Sequence, residues 1–410
     1  MVIAKNRART IKYAQTDSFF AVLIFPSVLT CLSTLFKICN AEHMFNSVVC
    51  YTFFMAYLCV QSLKINSFKK SDFLICIAFF ALYGGFYLLA IPEVEEYYKN
   101  MDVIVMLCLY IPFSVFIVRK TVDWNNLVQD DKYCYAADVL IIVSFILKTI
   151  DKTTVRTDYM SFSYDLLPIW GLVALIAVLK GKKFQWLMTG FSVIECLLYG
   201  SRGAIVFLVL LVLLVQTVKI LRSKNAAEKI LVFFILLILA IIIMILVLLL
   251  IIAFGDTGSS YVVNRLINGS FTGDSGRTEL YGLCMEIISN MRFSIKGPFF
   301  ERTILPKNQY AHNLFLELFI SLGWIGGSLA CIFIIGVLVK AFCKQAKSSN
   351  LYTLLWITIT IFSRFLLSGS LYDEGRFWLS LAVICSLAVS YKIRGNENYE
   401  RKITQRRKEE

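Results

Sequence analysis

Histidine and clustered cysteine are scarce in this sequence. The 410 residues include two histidines, and the 12 cysteines form no C-x-x-C pair. A zinc site needs several such ligands at short spacing, so the sequence predicts no metal site. The stretch "GDTGSS" at 255–260 lacks the lysine of a P-loop, which removes support for ATP-driven chemistry. We therefore predict that the chain uses neither a metal nor another cofactor.

Charge is also sparse, because 17% of the residues are charged whereas 58% are hydrophobic and the mean hydropathy is +0.70. The apolar residues come in blocks of about twenty, which is the length that crosses a bilayer core. The net charge of +13 comes largely from Lys and Arg in short segments between those blocks. That pattern is typical of cytoplasmic loops rather than of a nucleic-acid surface. We predict an all-α, polytopic membrane protein that contacts membrane lipid and binds no nucleic acid.

Hydropathy predicts about twelve transmembrane helices in a single domain that covers 1–410. The predicted spans are 18–37, 44–63, 72–91, 102–118, 135–150, 165–180, 184–200, 203–221, 230–254, 312–339, 351–368 and 375–391. With a cytoplasmic N-terminus and an uncleaved first span, the inside segments hold 27 of the 41 Lys and Arg residues. Both termini are then cytoplasmic, 392–410 is a basic cytoplasmic tail, and 255–310 is one large extracytoplasmic loop.

An amphipathic helix is predicted within that loop, in "DSGRTELYGLCMEIISNMRF" at 274–293. Asp274 or Ser275 would cap it. Its apolar residues recur at helical spacing, at Leu280, Leu283, Cys284, Ile287, Ile288 and Met291. The opposite face carries Glu279, Glu286 and Asn290. Arg277 and Arg292 flank the apolar stripe, so both would lie near head-group depth if the helix packs on the membrane.

Three cationic or titratable residues are predicted at the outer side of the membrane. Arg202 lies in "GSRGAIVF", between spans seven and eight, where Gly200 and Gly203 would give a tight turn its backbone freedom. Arg277 lies in the long loop, and His312 begins the next span. Each has a plain alternative: a snorkelling arginine, a surface arginine and a helix-capping histidine. Together they favour a phosphate-bearing ligand, because arginine binds phosphate oxygens bidentately and a neutral imidazole acts as a base near pH 7.

Two further charges fall inside predicted spans. Glu195 and Arg364 each lie four or five residues from an outer span end, roughly 6–8 Å deep. A charge inside the membrane is costly and usually paired. We therefore predict that Glu195 and Arg364 form a structural ion pair.

Four stretches, in this order, resemble one family: "GSRGA", "SGRTELY", "KGPFF" and "AHNLFLELFISLGWIGG". They look like the O-antigen ligase/polymerase family, and the resemblance covers about 159–330. "YMSFSYDLLP" at 159–168 is similar to stretches of Wzy-type capsular and exopolysaccharide repeat-unit polymerases. Tyr281 stands where the family often has tryptophan, and "KGPFF" lacks a second glycine that often follows.

The resemblance implies an enzyme that polymerises undecaprenyl-diphosphate-linked repeat units on the outer face of the bacterial plasma membrane. It implies a metal-independent, inverting glycosyltransferase. Arg202 and Arg277 would contact the donor diphosphate, and His312 would activate or orient the acceptor hydroxyl. The substrate-binding residues would also include Tyr281, Arg292 and Asn313. The implied partners are the lipid-linked glycan and the flippase and chain-length regulator of the same pathway.

Other functions stay open at this point. An O-antigen ligase uses the same donor with another acceptor, and these motifs barely separate it from a polymerase. A polysaccharide or lipid transporter would also have many spans, although we find no internal repeat and the in-span charges lie near the outer edge rather than at the midplane. A membrane scaffold without catalysis is a further alternative.

Overall fold

The computed structural model describes residues 2–65, 70–114, 124–151, 159–223, 277–306, 309–372 and 374–389. The described residues are 84% helical and contain no β-strand. The all-α prediction is therefore confirmed. The predicted span 230–254, the helix caps Asp274 and Ser275, and the basic tail 392–410 lie outside the described residues.

The N-terminal half contains eleven described helices. They are α1 (Val2–Ile38), α2 (Ser47–Ile65), α3 (Lys70–Leu88), α4 (Pro92–Tyr98), α5 (Met101–Val105), α6 (Ile111–Phe113), α7 (Trp124–Gln129), α8 (Asp131–Ile150), α9 (Tyr159–Lys180), α10 (Lys183–Tyr199) and α11 (Arg202–Leu221). A short 3₁₀ segment, Glu42–Met44, precedes α2, and a π-helical turn, Met106–Tyr110, joins α5 to α6.

The C-terminal half contains five described helices. They are α12 (Arg277–Met291), α13 (Glu301–Ile304), α14 (Leu314–Gln345), α15 (Asn350–Thr360) and α16 (Gly375–Val389). A 3₁₀ segment, Phe362–Leu366, follows α15.

Five of the described helices are long and apolar enough to cross a membrane. They are Thr16–Ile38, Asp131–Ile150, Tyr159–Lys180, Arg202–Leu221 and Leu314–Gln345. Four other predicted spans correspond to shorter apolar helices, and the predicted spans 44–63 and 184–200 correspond to α2 and α10. Several apolar spans agree with a polytopic protein, whereas the number twelve and the orientation remain predictions.

Helix α9 lies at the centre of the bundle and packs against α1, α8, α10, α11 and α15. It is almost entirely buried, which explains why it is apolar on every face. Gly171 permits the close approach of α15, because a Cβ there would lie 2.5 Å from Cγ2 of Thr360. Across the same contact, the Trp356 indole N–H donates to the Pro168 carbonyl at 2.8 Å.

Ion pairs join the helices at the end of the bundle that we predict to be cytoplasmic. Asp131 accepts from Lys180 and Lys182, each at 2.6 Å, and Lys132 lies 2.6 Å from Asp17. These residues come from α1, α8, α9 and the start of α10. Residues assigned to one side by charge counting are therefore neighbours in space.

Helix α12 confirms the amphipathic helix predicted for the long loop. Leu280, Cys284 and Ile288 are buried, and the predicted polar face is exposed. The apolar stripe packs on α14 rather than on lipid. The sequence left open which surface the stripe packs on, and in the structure that surface is α14.

The predicted continuous span 312–339 is also corrected, because α14 breaks at Gly323. This glycine has φ +65° and ψ −176°, a backbone conformation that L side chains rarely adopt. The break is closed by the segment after α12. The Trp324 N–H donates to the Arg292 carbonyl at 2.8 Å, and the Lys296 and Gly297 N–H groups donate to the Ser321 carbonyl at 3.0 and 2.8 Å. Residues 314–322 thus form a short, largely buried helix, and the more exposed part of α14 begins after the break.

Candidate functional site

Arg202 is the first residue of α11, directly after the cap residue Ser201. The Ser201 hydroxyl accepts from the Ala204 N–H at 3.3 Å and from the Ser163 hydroxyl at 2.9 Å, which fixes the turn to α9. The two glycines flanking this turn are needed for space. A Cβ on Gly203 would lie 2.6 Å from the Tyr164 hydroxyl. Neither glycine has a positive φ, so the predicted need for backbone freedom is not confirmed. The glycines are required because a side chain would not fit.

Tyr164 is the residue around which the predicted site assembles. Its hydroxyl lies beside the turn that carries Arg202. The guanidinium carbon of Arg364 lies 5.1 Å from the centre of its ring. The charges of Arg364 and Arg277 both act on the Tyr164 hydroxyl. Residues from α9, α11, α12 and the segment after α15 thus converge here.

His312 lies just before α14, in a left-handed backbone conformation with φ +52°. Its ring packs against Tyr310 with 4.0 Å between ring centres. Nδ1 is buried and has no hydrogen-bond partner in the described part of the chain. Burial, and then the positive charge of Arg277, lower the pKa of His312 from 6.5 to about 4. The imidazole is therefore neutral near pH 7.

Two other predicted residues support His312 through the backbone. The Tyr281 hydroxyl donates to the His312 carbonyl at 3.4 Å, which ties the first turn of α12 to the histidine. Asn313 caps α14, because its Oδ1 accepts from Phe315 and Leu316 N–H groups at 3.0 and 3.3 Å. Its Nδ2 donates to the Leu366 carbonyl at 3.2 Å. Asn313 thus has a capping role in the structure, and its predicted substrate contact stays a prediction.

Arg292 is not brought to the site. It follows the last residue of α12, whereas Arg277 begins that helix, so their backbones lie about 20 Å apart. Its side chain is exposed, and its carbonyl closes the break at Gly323. The predicted substrate contact of Arg292 therefore stays a prediction.

The predicted ion pair between Glu195 and Arg364 is wrong. The Glu195 carboxylate is buried and accepts from the Ser144 hydroxyl and from the Trp170 indole N–H, the latter at 2.9 Å. Arg364 instead pairs with Glu374, with two N to O distances of 3.0 Å. Similar depth in the membrane was an insufficient criterion, because the turn after Arg364 brings a nearer carboxylate back to it.

A polar cavity of about 500 Å³ adjoins this group of residues. Its ionisable lining residues are Lys37, Lys148, Asp165, Arg364, Glu374 and Arg376. Arg376 lies 2.7 Å from Asp165, and the Thr30 hydroxyl donates to the same carboxylate at 2.8 Å. Tyr310 also lines the cavity, so one aromatic ring separates the cavity from His312.

Pro168 explains how Arg376 is held at the cavity. A proline has no N–H, so Pro168 leaves the carbonyl of Tyr164, four residues earlier in α9, without its helical donor. Arg376 donates to that carbonyl at 3.4 Å. The proline in a buried helix therefore creates an acceptor, and an arginine from α16 occupies it.

Sequence reasoning missed Asp165, Glu374 and Arg376. Each lies at the edge of a predicted span, and two of them occur in "SGSLYDEGRFW" at 368–378, a glycine-containing turn between two apolar runs. Charges clustered at such a turn were the available signal. What the sequence could not supply was the neighbour of each charge across helices.

Comparisons with protein-family models, with curated proteins and with solved structures find no match to this chain. The site is therefore interpreted from its own residues and from the resemblance of its motifs.

Proposed function

We propose that this protein is a polymerase of undecaprenyl-diphosphate-linked oligosaccharide repeat units. The observation that carries the proposal is that the charge of Arg277 acts on both His312 and Tyr164, and that the Tyr164 hydroxyl lies beside the turn that carries Arg202. Arg202, Arg277 and His312 come from separate parts of the sequence. Two arginines beside a neutral histidine suit a ligand that joins a diphosphate to a sugar.

In the proposed reaction, the hydroxyl of one lipid-linked repeat attacks the anomeric carbon of the growing glycan. The hydroxyl oxygen forms the new bond to that carbon, and the bond from the carbon to the diphosphate oxygen breaks. The electron pair of the broken bond leaves with the diphosphate, whose charge Arg202 and Arg277 stabilise. The hydroxyl proton passes to His312 and then to solvent. The attack inverts the configuration of the anomeric carbon.

The chemistry of His312 fits a site that is completed by its substrate. With a pKa of about 4, the imidazole alone is a weak base. A diphosphate bound at Arg277 would neutralise the charge that disfavours the imidazolium, which raises the pKa toward the range that suits a general base. The base would then act only when the donor is bound.

The proposed location follows from the membrane. Arg202 begins α11 at the end of the bundle opposite the Asp131 cluster, which supports a site at that end. By charge counting, that end faces outward from the bacterial plasma membrane. A lipid diphosphate and its glycan meet at this depth, and the flippase and chain-length regulator of the pathway would act beside it.

A reconstituted transfer assay tests the proposal. Purified full-length protein in lipid is mixed with the undecaprenyl-diphosphate repeat unit of its source, and the products are separated by size. The variants Arg202→Ala, Arg277→Ala and His312→Ala are compared with wild type. Lys296→Ala serves as the matched control, because Lys296 is an exposed cation in the same part of the chain.

The outcomes separate the functions. A ladder of products that the three variants lose and Lys296→Ala retains would support polymerisation at this site. Transfer of a single glycan to another lipid acceptor would instead support the ligase. Movement of labelled lipid across the bilayer without any transfer would refute the enzyme and support a transporter.

A further inference from the structure

The cavity beside His312 has features that the proposed transfer of a diphosphate does not use. It is lined by four cations and two carboxylates, and its volume of about 500 Å³ is within the range of small-ligand pockets. Arg202 and Arg277 do not line it. The cavity is lined by Tyr310, whose ring packs against His312, but not by His312 itself. Its ligand would therefore be adjacent to the diphosphate site and distinct from it.

Two polar groups at the cavity have donors to offer. The Tyr51 hydroxyl and the Nε of Arg364 are buried and have no hydrogen-bond partner within the described ranges. A buried polar group without a partner is costly, and a ligand or water commonly satisfies it. Both residues line the cavity. The cavity therefore suits a ligand that carries hydrogen-bond acceptors.

The carboxylates decide the chemical class of the ligand. Asp165 and Glu374 are held by Arg376 and Arg364 and line the cavity. A diphosphate offers acceptor oxygens only, so it would bring no hydrogen-bond donor to either carboxylate. Sugar hydroxyls donate as well as accept, so they can bind carboxylate and guanidinium groups together. Tyr51 and Tyr110, with ring centres 5.2 Å apart, supply an amphipathic wall of the kind that a sugar ring packs against.

The balance of charge favours an acidic sugar over a neutral one. Each cavity carboxylate is bound by an arginine, and Lys37 and Lys148 add positive charge to the lining. Lys148 is 6% exposed, its ammonium lies 5.1 Å from the centre of the Phe162 ring, and its distance to the Asp151 carboxylate is 4.0 Å. An anionic ligand in the cavity would add a favourable charge interaction with this buried cation.

We propose that this cavity is a saccharide-binding subsite that selects a sugar carrying a carboxylate. The inference rests on the proposed function, since it names the kind of glycan that the polymerase would take. A carboxylate-bearing sugar of the glycan repeat unit would occupy the cavity, with Tyr310 between this sugar and His312. The cavity would thus set specificity, while Arg202 and Arg277 bind the part common to all donors.

Saturation-transfer NMR on the full-length protein in detergent micelles tests the subsite with free sugars. Glucuronate and glucose are the probes, and inorganic pyrophosphate is the competitor. We expect glucuronate to bind about five-fold more tightly than glucose, the effect of one partly screened charge interaction. Lys148→Gln and Lys37→Gln should each reduce this preference. Lys132→Gln, at the opposite end of the bundle, should leave it unchanged.

Each other outcome is informative. Equal binding of both sugars, or a preference that survives both lysine substitutions, would overturn the subsite. Displacement of glucuronate by pyrophosphate at equal concentration would identify a general anion site and also overturn it. The Lys37 variant guards against misfolding, because Lys37 is less buried than Lys148. A product ladder without sugar binding would refute only the subsite, whereas sugar binding without a ladder would refute only the polymerase.

Discussion

His312 should titrate far below an ordinary histidine, and this can be measured directly. Burial of the ring is the larger cause and the charge of Arg277 is the smaller one, and together they lower its pKa from 6.5 to about 4. The full shift corresponds to about 3 kcal/mol, and solvent on the exposed side of the ring reduces this to about 2 kcal/mol. This is the extra free energy needed to protonate His312 in the folded protein, compared with an exposed histidine in the unfolded chain.

The sign of the pH effect follows from the two pKa values. Between pH 6.5 and about 4, the unfolded chain binds a proton at His312 that the folded chain does not. The free energy of unfolding therefore falls as the pH decreases through this window. Above pH 6.5 the residue makes no pH-dependent contribution. A His312→Gln variant should lose this component of acid destabilisation. Between pH 7.5 and pH 4.5, its free energy of unfolding should therefore fall less than that of wild type.

The scarcity of histidine makes the assay simple. Ring-labelled histidine gives two carbon resonances, one from His312 and one from His43, which is exposed and serves as the internal reference. The Arg277→Gln variant should raise the pKa of His312 without restoring it fully, because burial remains. Lys296→Gln should leave it unchanged. Titration of His312 at or above pH 6.5 in wild type, or no response to Arg277→Gln, would refute the reasoning.

Three further predictions concern stability, measured by thermal unfolding in detergent with a thiol-reactive dye that detects buried cysteines as they become exposed. Gly323→Ala should lower the free energy of unfolding by about 1–2 kcal/mol, because φ is positive at Gly323 and loop carbonyls crowd the position. Gly336→Ala is the control and should be nearly neutral, since Gly336 has open space around it. Equal effects of the two substitutions would contradict the break in α14. Ile288→Ala should cost about 3 kcal/mol through a cavity under α12, and an effect below about 0.5 kcal/mol would mean that α12 is not packed there. Arg364→Gln and Glu374→Gln should each cost about 2 kcal/mol and the double variant much less than their sum, so additive losses would contradict the pair.

The sequence predicted correctly those features that depend on the residue pattern of a single helix. The spacing of Leu280, Cys284 and Ile288 was sufficient to predict α12, since three buried residues on one face need only a partner surface. The identity of that surface was not predictable, because an apolar stripe looks the same whether it packs on protein or lipid. The packing of α12 on α14 depends on contacts between distant parts of the chain.

Long-range pairing limited the prediction of the site. Glu195 and Arg364 matched in depth, but depth does not determine which helices are neighbours. The partner of Arg364 lies ten residues later, across a turn in which Gly369 has φ +100°. The break at Gly323 was hidden in the same way, because glycine is common in apolar spans and only the carbonyls around it show that a positive φ is needed.

The central claim is that a diphosphate binds beside Arg277 and His312, and the His312 resonance tests it most directly. A short-chain prenyl diphosphate is added to ring-labelled protein in lipid nanodiscs, and the titration is repeated. The account predicts that the pKa of His312 rises on binding, because the bound anion stabilises the imidazolium, and that Arg202→Gln and Arg277→Gln weaken or abolish the effect. A ligand that binds with the same affinity to all three proteins and leaves the His312 titration unchanged would contradict it.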